Sequence, residues 1–238
     1  MIDAELPPCP AGLTRFRREV GKGTLVLAVA ADAEARAITG ALGRPPVLEE
    51  WRGVPIADGL SLVRTGVGKA NAAGAVAALC AAERPAGILS VGIAGTLPGS
   101  PARIGDVVLA TGHAFDEGVR TPAGVEPLGG FPPWSGPGNA VPAHAASAAL
   151  RDLGEMWEGA VATVSICSGT DELAREVVVR TGAIAEAMEG AAVAASASRF
   201  GVPWAELRVI SNTTGERTTQ TWRLMEALGR LGALFVDR

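Results

Sequence analysis

The chain has 238 residues, 48% hydrophobic and 19% charged, which excludes a disordered polymer. Aromatic residues are only 4% and tyrosine is absent, so small and β-branched side chains must fill the core. That suits helices packed on a sheet and not an aromatic-rich sandwich. A net charge of −4, with one short basic run at Arg15-Phe16-Arg17-Arg18, argues against nucleic-acid binding.

Residues 1–20 read as a poorly ordered leader. Met1 to Pro10 carries Asp3, Glu5 and three prolines, without the basic-then-apolar order of a signal peptide. Residues 21–238 read as one domain, with no linker or repeat. Thr24 to Ala31 is an apolar run of the kind that forms a strand buried on both faces. Asp32 is placed to cap a helix over Ala33 to Leu42. Trp51 to Ala57 and Leu60 to Thr65 flank Asp58-Gly59, a hairpin signal. An Ala-rich helix follows over Lys69 to Glu83, then a strand at Ile88 to Val91 and a glycine loop, Gly92 to Gly95. Asp106 to Thr111 is a further strand, and His113 to Pro142 a long Gly- and Pro-rich loop. Helices are predicted over Ala143 to Leu153, Asp171 to Thr181, Glu189 to Phe200 and Thr219 to Phe235. Strands are predicted at Ala160 to Cys167, Ala183 to Ala187 and Trp204 to Ile210.

Strands and helices alternate almost throughout. This predicts an α/β domain, a largely parallel sheet with helices on both faces. Cys9, Cys80 and Cys167 lie far apart without metal-ligand spacing, so no disulfide framework or metal site is expected and the compartment reads as the cytoplasm. No stretch reaches the roughly 18 apolar residues of a membrane helix. No cofactor is expected.

Several motifs fail. Gly66-Val67-Gly68-Lys69 has Val63 and Ala70 where a phosphate loop needs Gly and Ser or Thr. It reads as a tight turn, or as a turn whose backbone approaches a ligand. No Gly-x-Ser-x-Gly elbow exists, and His113 and His144 read as surface residues, which disfavours a Ser-His-Asp hydrolase. In such sheets ligands bind at the carboxyl ends of strands. There stand Glu34, Gly92 to Gly95, Ser168-Gly169-Thr170, Met188-Glu189-Gly190 and Ser211-Asn212, with Arg208 inside the last strand.

Five motifs occur in order: Thr65-Gly66-Val67-Gly68-Lys69, Val91-Gly92-Ile93-Ala94-Gly95, Gly105-Asp106-Val107-Val108, Glu186-Ala187-Met188-Glu189-Gly190 and Arg208-Val209-Ile210-Ser211-Asn212. With them, residues 24–237 resemble the purine nucleoside phosphorylase and methylthioadenosine nucleosidase superfamily. Within it, Ile210-Ser211-Asn212, Gly215, Arg217 and Trp222 are similar to the tail of the futalosine hydrolase family of menaquinone biosynthesis. The resemblance implies a single αβα sandwich with a twisted, mostly parallel but mixed and partly closed sheet. It also implies a purine nucleoside substrate and a homodimer or larger homo-oligomer.

The same resemblance implies roles. Glu34 would deprotonate the attacking water, though a helix-start Glu is also favoured by the helix dipole. Glu189 would bind the ribose hydroxyls over Met188, and Arg208 would orient water and carboxylates, although a buried Arg needs partners in any fold. Ile93, Ala94, Gly95 and Leu173 complete the expected substrate contacts. An amide at Asn212 donates without titrating, which suits O6 and N7 of a 6-oxopurine; otherwise it is a turn residue. Adenosine-directed relatives carry Asp there and an aromatic at Glu172, so another ring must cover the base, with Phe115, Phe131 and Trp134 available. Ser90 stands where phosphorylase relatives carry an anion-binding Arg, which favours water as the nucleophile. The reading is a futalosine-cleaving hydrolase that yields hypoxanthine. Another purine nucleosidase, a phosphorylase, or a purine binder without turnover are the alternatives.

Overall fold

The apolar run at Leu25–Val29 forms β1, and all five side chains are buried. Leu25, Leu27 and Val29 enter one core cluster with Ile38 and Leu231. Val26 and Ala28 enter another with Val76 and Val193. That period-two division puts a helical layer on each face of the sheet.

The computed structural model describes residues 5–47, 49–122, 124–127, 140–142 and 144–237. A 3₁₀ turn, Ala11–Leu13, leads into α1 (Thr14–Val20). After β1 come α2 (Asp32–Ala41), β2 (Val54–Ala57), β3 (Leu60–Arg64), α3 (Lys69–Glu83) and β4 (Gly87–Thr96). Then follow β5 (Val107–Phe115), β6 (Gly118–Thr121), β7 (Gly124–Pro127), β8 (Ala140–Pro142) and a 3₁₀ helix, Ala145–Leu153. The chain ends with β9 (Trp157–Thr163), α4 (Asp171–Thr181), β10 (Ala185–Ala187), α5 (Gly190–Arg199), β11 (Trp204–Thr213) and α6 (Leu224–Ala233).

Among the described residues the main sheet has nine strands. Eight run in the order β10-β9-β5-β11-β4-β1-β3-β2, with β8 against β5, and β10 also pairs β4. β10, β9, β5, β11 and β4 therefore close a ring. The sheet is mixed: β1, β3, β4 and β11 pair in parallel, whereas β5 runs antiparallel to β11. α3 packs on α5 over one face, and α2 on α6 over the other. This is the expected mixed-sheet αβα sandwich.

Three expectations change. Of the stretch 1–20 expected to be poorly ordered, residues 11–20 are helical, with Leu13 and Phe16 fully buried in the first core cluster. Gly92 to Gly95 is no loop but the second half of β4, paired residue by residue with β11. The stretch from His113 to Pro142 includes the end of β5, the β6–β7 hairpin and β8.

Candidate active site

A cavity of about 320 Å³ opens at the carboxyl ends of β1, β4 and β11, beside β10 and the start of α6. The volume falls at the lower end of small-ligand pockets. Of the expected site residues, Glu34, Ile93, Ala94, Gly95, Met188, Glu189 and Asn212 all line it. Arg208 lies behind this wall, and Leu173, on the first turn of α4, is not part of it.

Glu34 sits in the first turn of α2 and folds back over the helix start. Its Oε2 accepts the Ala30 and Ala31 N–H groups at 3.0 and 2.9 Å, and its Oε1 accepts the Ile93 N–H at 2.9 Å. Ala31, not Asp32, is the residue before the helix, and Asp32 instead pairs with Arg36 and Arg64. Three backbone donors thus hold one buried carboxylate against the cavity.

Glu189 stands just before α5. Its Oε1 accepts the Gly68 N–H at 3.0 Å, and its Oε2 lies 3.6 Å from Arg208 Nη2. The Gly66-Val67-Gly68 turn, with φ of +86° and +93° at its glycines, therefore points an amide at a carboxylate and not at a phosphate. Burial pushes the Glu189 carboxyl above its usual range, against the pull of Arg208.

Asn212 reaches the cavity through a β-bulge. Ile210 pairs with Ala94 and Asn212 with Gly95, so Ser211 is the extra residue, and both Ser211 and Asn212 meet the cavity. The Asn212 Oδ1 lies 2.8 Å from the Ser211 hydroxyl and its Nδ2 donates to the Thr213 carbonyl at 2.9 Å. These contacts fix the amide orientation and leave a second Nδ2 hydrogen for the cavity.

Sequence reasoning missed three features. Glu186 also lines the cavity, held by the backbone N–H and hydroxyl of Ser168 at 2.9 and 2.7 Å, and burial raises its carboxyl. Among the described residues the ring in the cavity wall is Trp222, half exposed and bridged to Asn212. Phe115 instead lies under Lys69, at 5.4 Å, and Phe131 and Trp134 fall outside the described residues. His113 is no surface residue: it is completely buried, with Nδ1 at 2.5 Å from Glu206 Oε2. His144 caps the 3₁₀ helix, accepting the Ala146 N–H.

A family model described as the phosphorylase superfamily matches residues 52–236. The futalosine hydrolase of Acidothermus cellulolyticus is 37% identical over 227 residues, covering 90% of this chain and 88% of that one. The futalosine hydrolase of Streptomyces coelicolor is 35% identical over 223 residues, covering 87% and 91%. The chain belongs to the phosphorylase superfamily and, within it, to the futalosine hydrolase family. Among solved structures, a Neisseria meningitidis methylthioadenosine/S-adenosylhomocysteine nucleosidase bound to methylthio-immucillin-A shares the fold. Its TM-score is 0.74 at 19% identity, over 90% of this chain and 96% of that one. A Helicobacter pylori futalosine hydrolase mutant has a TM-score of 0.70 at 18% identity, with the same coverage.

Proposed function

We propose that this protein hydrolyses the N-ribosyl bond of futalosine in menaquinone biosynthesis, releasing hypoxanthine and leaving dehypoxanthine futalosine. The observation that carries this reading is the meeting of Glu34, Glu189 and Asn212 in one cavity, in a chain of this family. Cleavage of an N-ribosyl bond develops positive charge on the sugar. Carboxylates on the sugar side stabilise that charge, and a donor on the base side stabilises the departing electrons. Glu34 takes the proton of the attacking water, its carboxylate already fixed by backbone N–H groups. Glu189 accepts hydrogen bonds from the ribose hydroxyls, with Met188 beneath the sugar. The remaining Asn212 hydrogen meets O6 or N7 of the base.

Charge at the site supports water over phosphate. Arg208 is surrounded by Glu206, Glu189 and Glu34, so one guanidinium faces three carboxylates. Ser90, at the position where phosphorylases carry Arg, accepts a hydrogen bond from Arg208 Nη2 at 3.0 Å. An incoming phosphate would meet net negative charge.

The same reading makes the enzyme a cytoplasmic homo-oligomer. Its three free thiols and the exposed Leu224 and Met225 beside the site support this. Light scattering on the purified protein checks the assembly. The decisive assay offers futalosine, inosine and methylthioadenosine with and without phosphate. Hypoxanthine release from futalosine, indifferent to phosphate, is expected. A ribose-1-phosphate-type product would sink the hydrolase reading.

A further inference from the structure

Between β5, β11 and α5, behind the cavity wall, lies a buried cluster of His113, Glu206 and Arg208. His113 and Glu206 are fully buried and Arg208 is 1% exposed. Glu206 Oε2 faces His113 Nδ1 at 2.5 Å, and Glu206 Oε1 accepts from Arg208 Nε at 2.7 Å. The two Arg208 terminal nitrogens are thereby left for Ser90, Glu189 and the space over Gly92.

The surroundings are shaped for this cluster. The His113 ring stands edge-on to Trp204, with centroids 4.5 Å apart. A Cβ at residue 190 would strike the Glu206 carboxylate, so α5 begins with a glycine where that carboxylate needs room. His113 Nε2 has no hydrogen-bond partner among the described residues, so the ring's hydrogen belongs on Nδ1, facing Glu206. Buried ion pairs give little net stability, and well-packed apolar residues often replace them without loss. Packing alone therefore does not account for the pair. What it supplies is a fixed guanidinium, since Arg208 on its own has a long, rotatable side chain.

We propose that His113 and Glu206 are positioning residues for the hydrolysis. His113 holds the Glu206 carboxylate, Glu206 holds Nε of Arg208, and the fixed guanidinium sets Glu189 against the ribose. The proposal rests on the nucleosidase function above.

Steady-state kinetics on futalosine with wild type, H113A, H113N and E206Q test it, with circular dichroism as the folding check. An asparagine amide N–H can occupy the place of Nδ1–H, so H113N keeps the contact that H113A removes. H113A is expected to lower kcat by about tenfold or more with KM within about threefold, as displaced catalytic groups do. H113N is expected to restore most of that loss. Folded H113A with wild-type kcat overturns the proposal, as does a folded H113N no better than H113A. If H113A does not fold, E206Q decides: it keeps the shape but loses the charge, and an unchanged kcat overturns the proposal. A wild type that releases no hypoxanthine sinks the function and the proposal together. An active wild type indifferent to these changes sinks the proposal alone.

Discussion

Glu34 and Arg208 meet over Gly92: a Cβ on that glycine would collide with Glu34 Oε1 and Arg208 Nη1 at once. Gly92 is paired across the ladder with Arg208, and the next residue, Ile93, gives its N–H to the same Glu34 oxygen. A carboxylate from α2 and a guanidinium from β11 are thus brought together by a bare stretch of β4. The absence of a side chain there makes room for two others.

Glu34→Gln replaces the carboxylate with an amide of the same shape. The amide cannot titrate as a base, and turnover should fall by about 10²–10⁴. Stability should fall as well. The carboxylate accepts from three backbone N–H groups on both oxygens, and a glutamine turns one of those oxygens into a donor. A lost bond and an opposed donor cost about 1–3 kcal/mol. Thermal melts and single-turnover rates separate the two effects. Near-wild-type turnover would remove Glu34 from the chemistry.

For Asn212→Asp, the new carboxylate oxygen would face the Thr213 carbonyl that Nδ2 now serves. It would also offer no donor to O6 of a 6-oxopurine. Cleavage of futalosine and inosine should drop by roughly 5- to 150-fold, equivalent to about 1–3 kcal/mol. The loss should be smaller for methylthioadenosine. An equal loss on both classes would show that Asn212 holds the bulge and does not read the base.

Among the described residues, Trp222 is the ring placed to cover a bound purine. It lines the cavity, donates its indole N–H to Gln220 at 3.2 Å and lies against Arg217 at 5.2 Å. Trp222→Ala should raise KM about 2- to 10-fold with little change in kcat, the size of one aromatic contact. An unchanged KM in initial-rate assays would place the base elsewhere.

Acid should weaken the protein through Glu206. Burial disfavours its charge, but Arg208 and His113 outweigh that and hold the carboxyl at about 2, below the ordinary 4.5. The unfolded chain therefore takes up this proton first as pH falls. The stability Glu206 supplies is complete above 4.5 and is lost on descent to about 2. Glu186 and Glu189, raised by burial, act in the opposite sense: stability from them is lost as pH rises through their raised values. Denaturant melts of wild type and Glu206→Gln across this range isolate Glu206. The difference between the two should shrink toward acid, and a constant difference would contradict the assignment.

Much of this was legible in sequence because local signals were strong. The helix over Lys69–Glu83 starts after Gly68 and that over Asp171–Thr181 after Thr170, whose hydroxyl caps it, so both boundaries agree. The ordered motifs placed Glu34, Glu189 and Asn212 in one cavity. The glycine run at 92–95 misled because glycine is poor in strands; its value here is the room it leaves for Glu34 and Arg208. His113 misled because its partner is 93 residues away, and no periodicity records such a pairing. One signal was present: Glu206 and Arg208 lie two apart in an apolar strand, on one face, so each demanded a buried partner.

The closed ring of strands has a dynamic consequence. β10 is hydrogen-bonded to β9 on one side and to β4 on the other, so the wall carrying Glu186 has no free edge. Peeling it away would break two ladders together. Amides of Ala185 and Glu186 should exchange with deuterium only on global unfolding, the slowest class in the molecule. Elsewhere in the cavity lining, Val67 and Trp222 are about half exposed. Opening of the cavity is therefore expected on the side of Val67 and Trp222, with the β10 wall held in place.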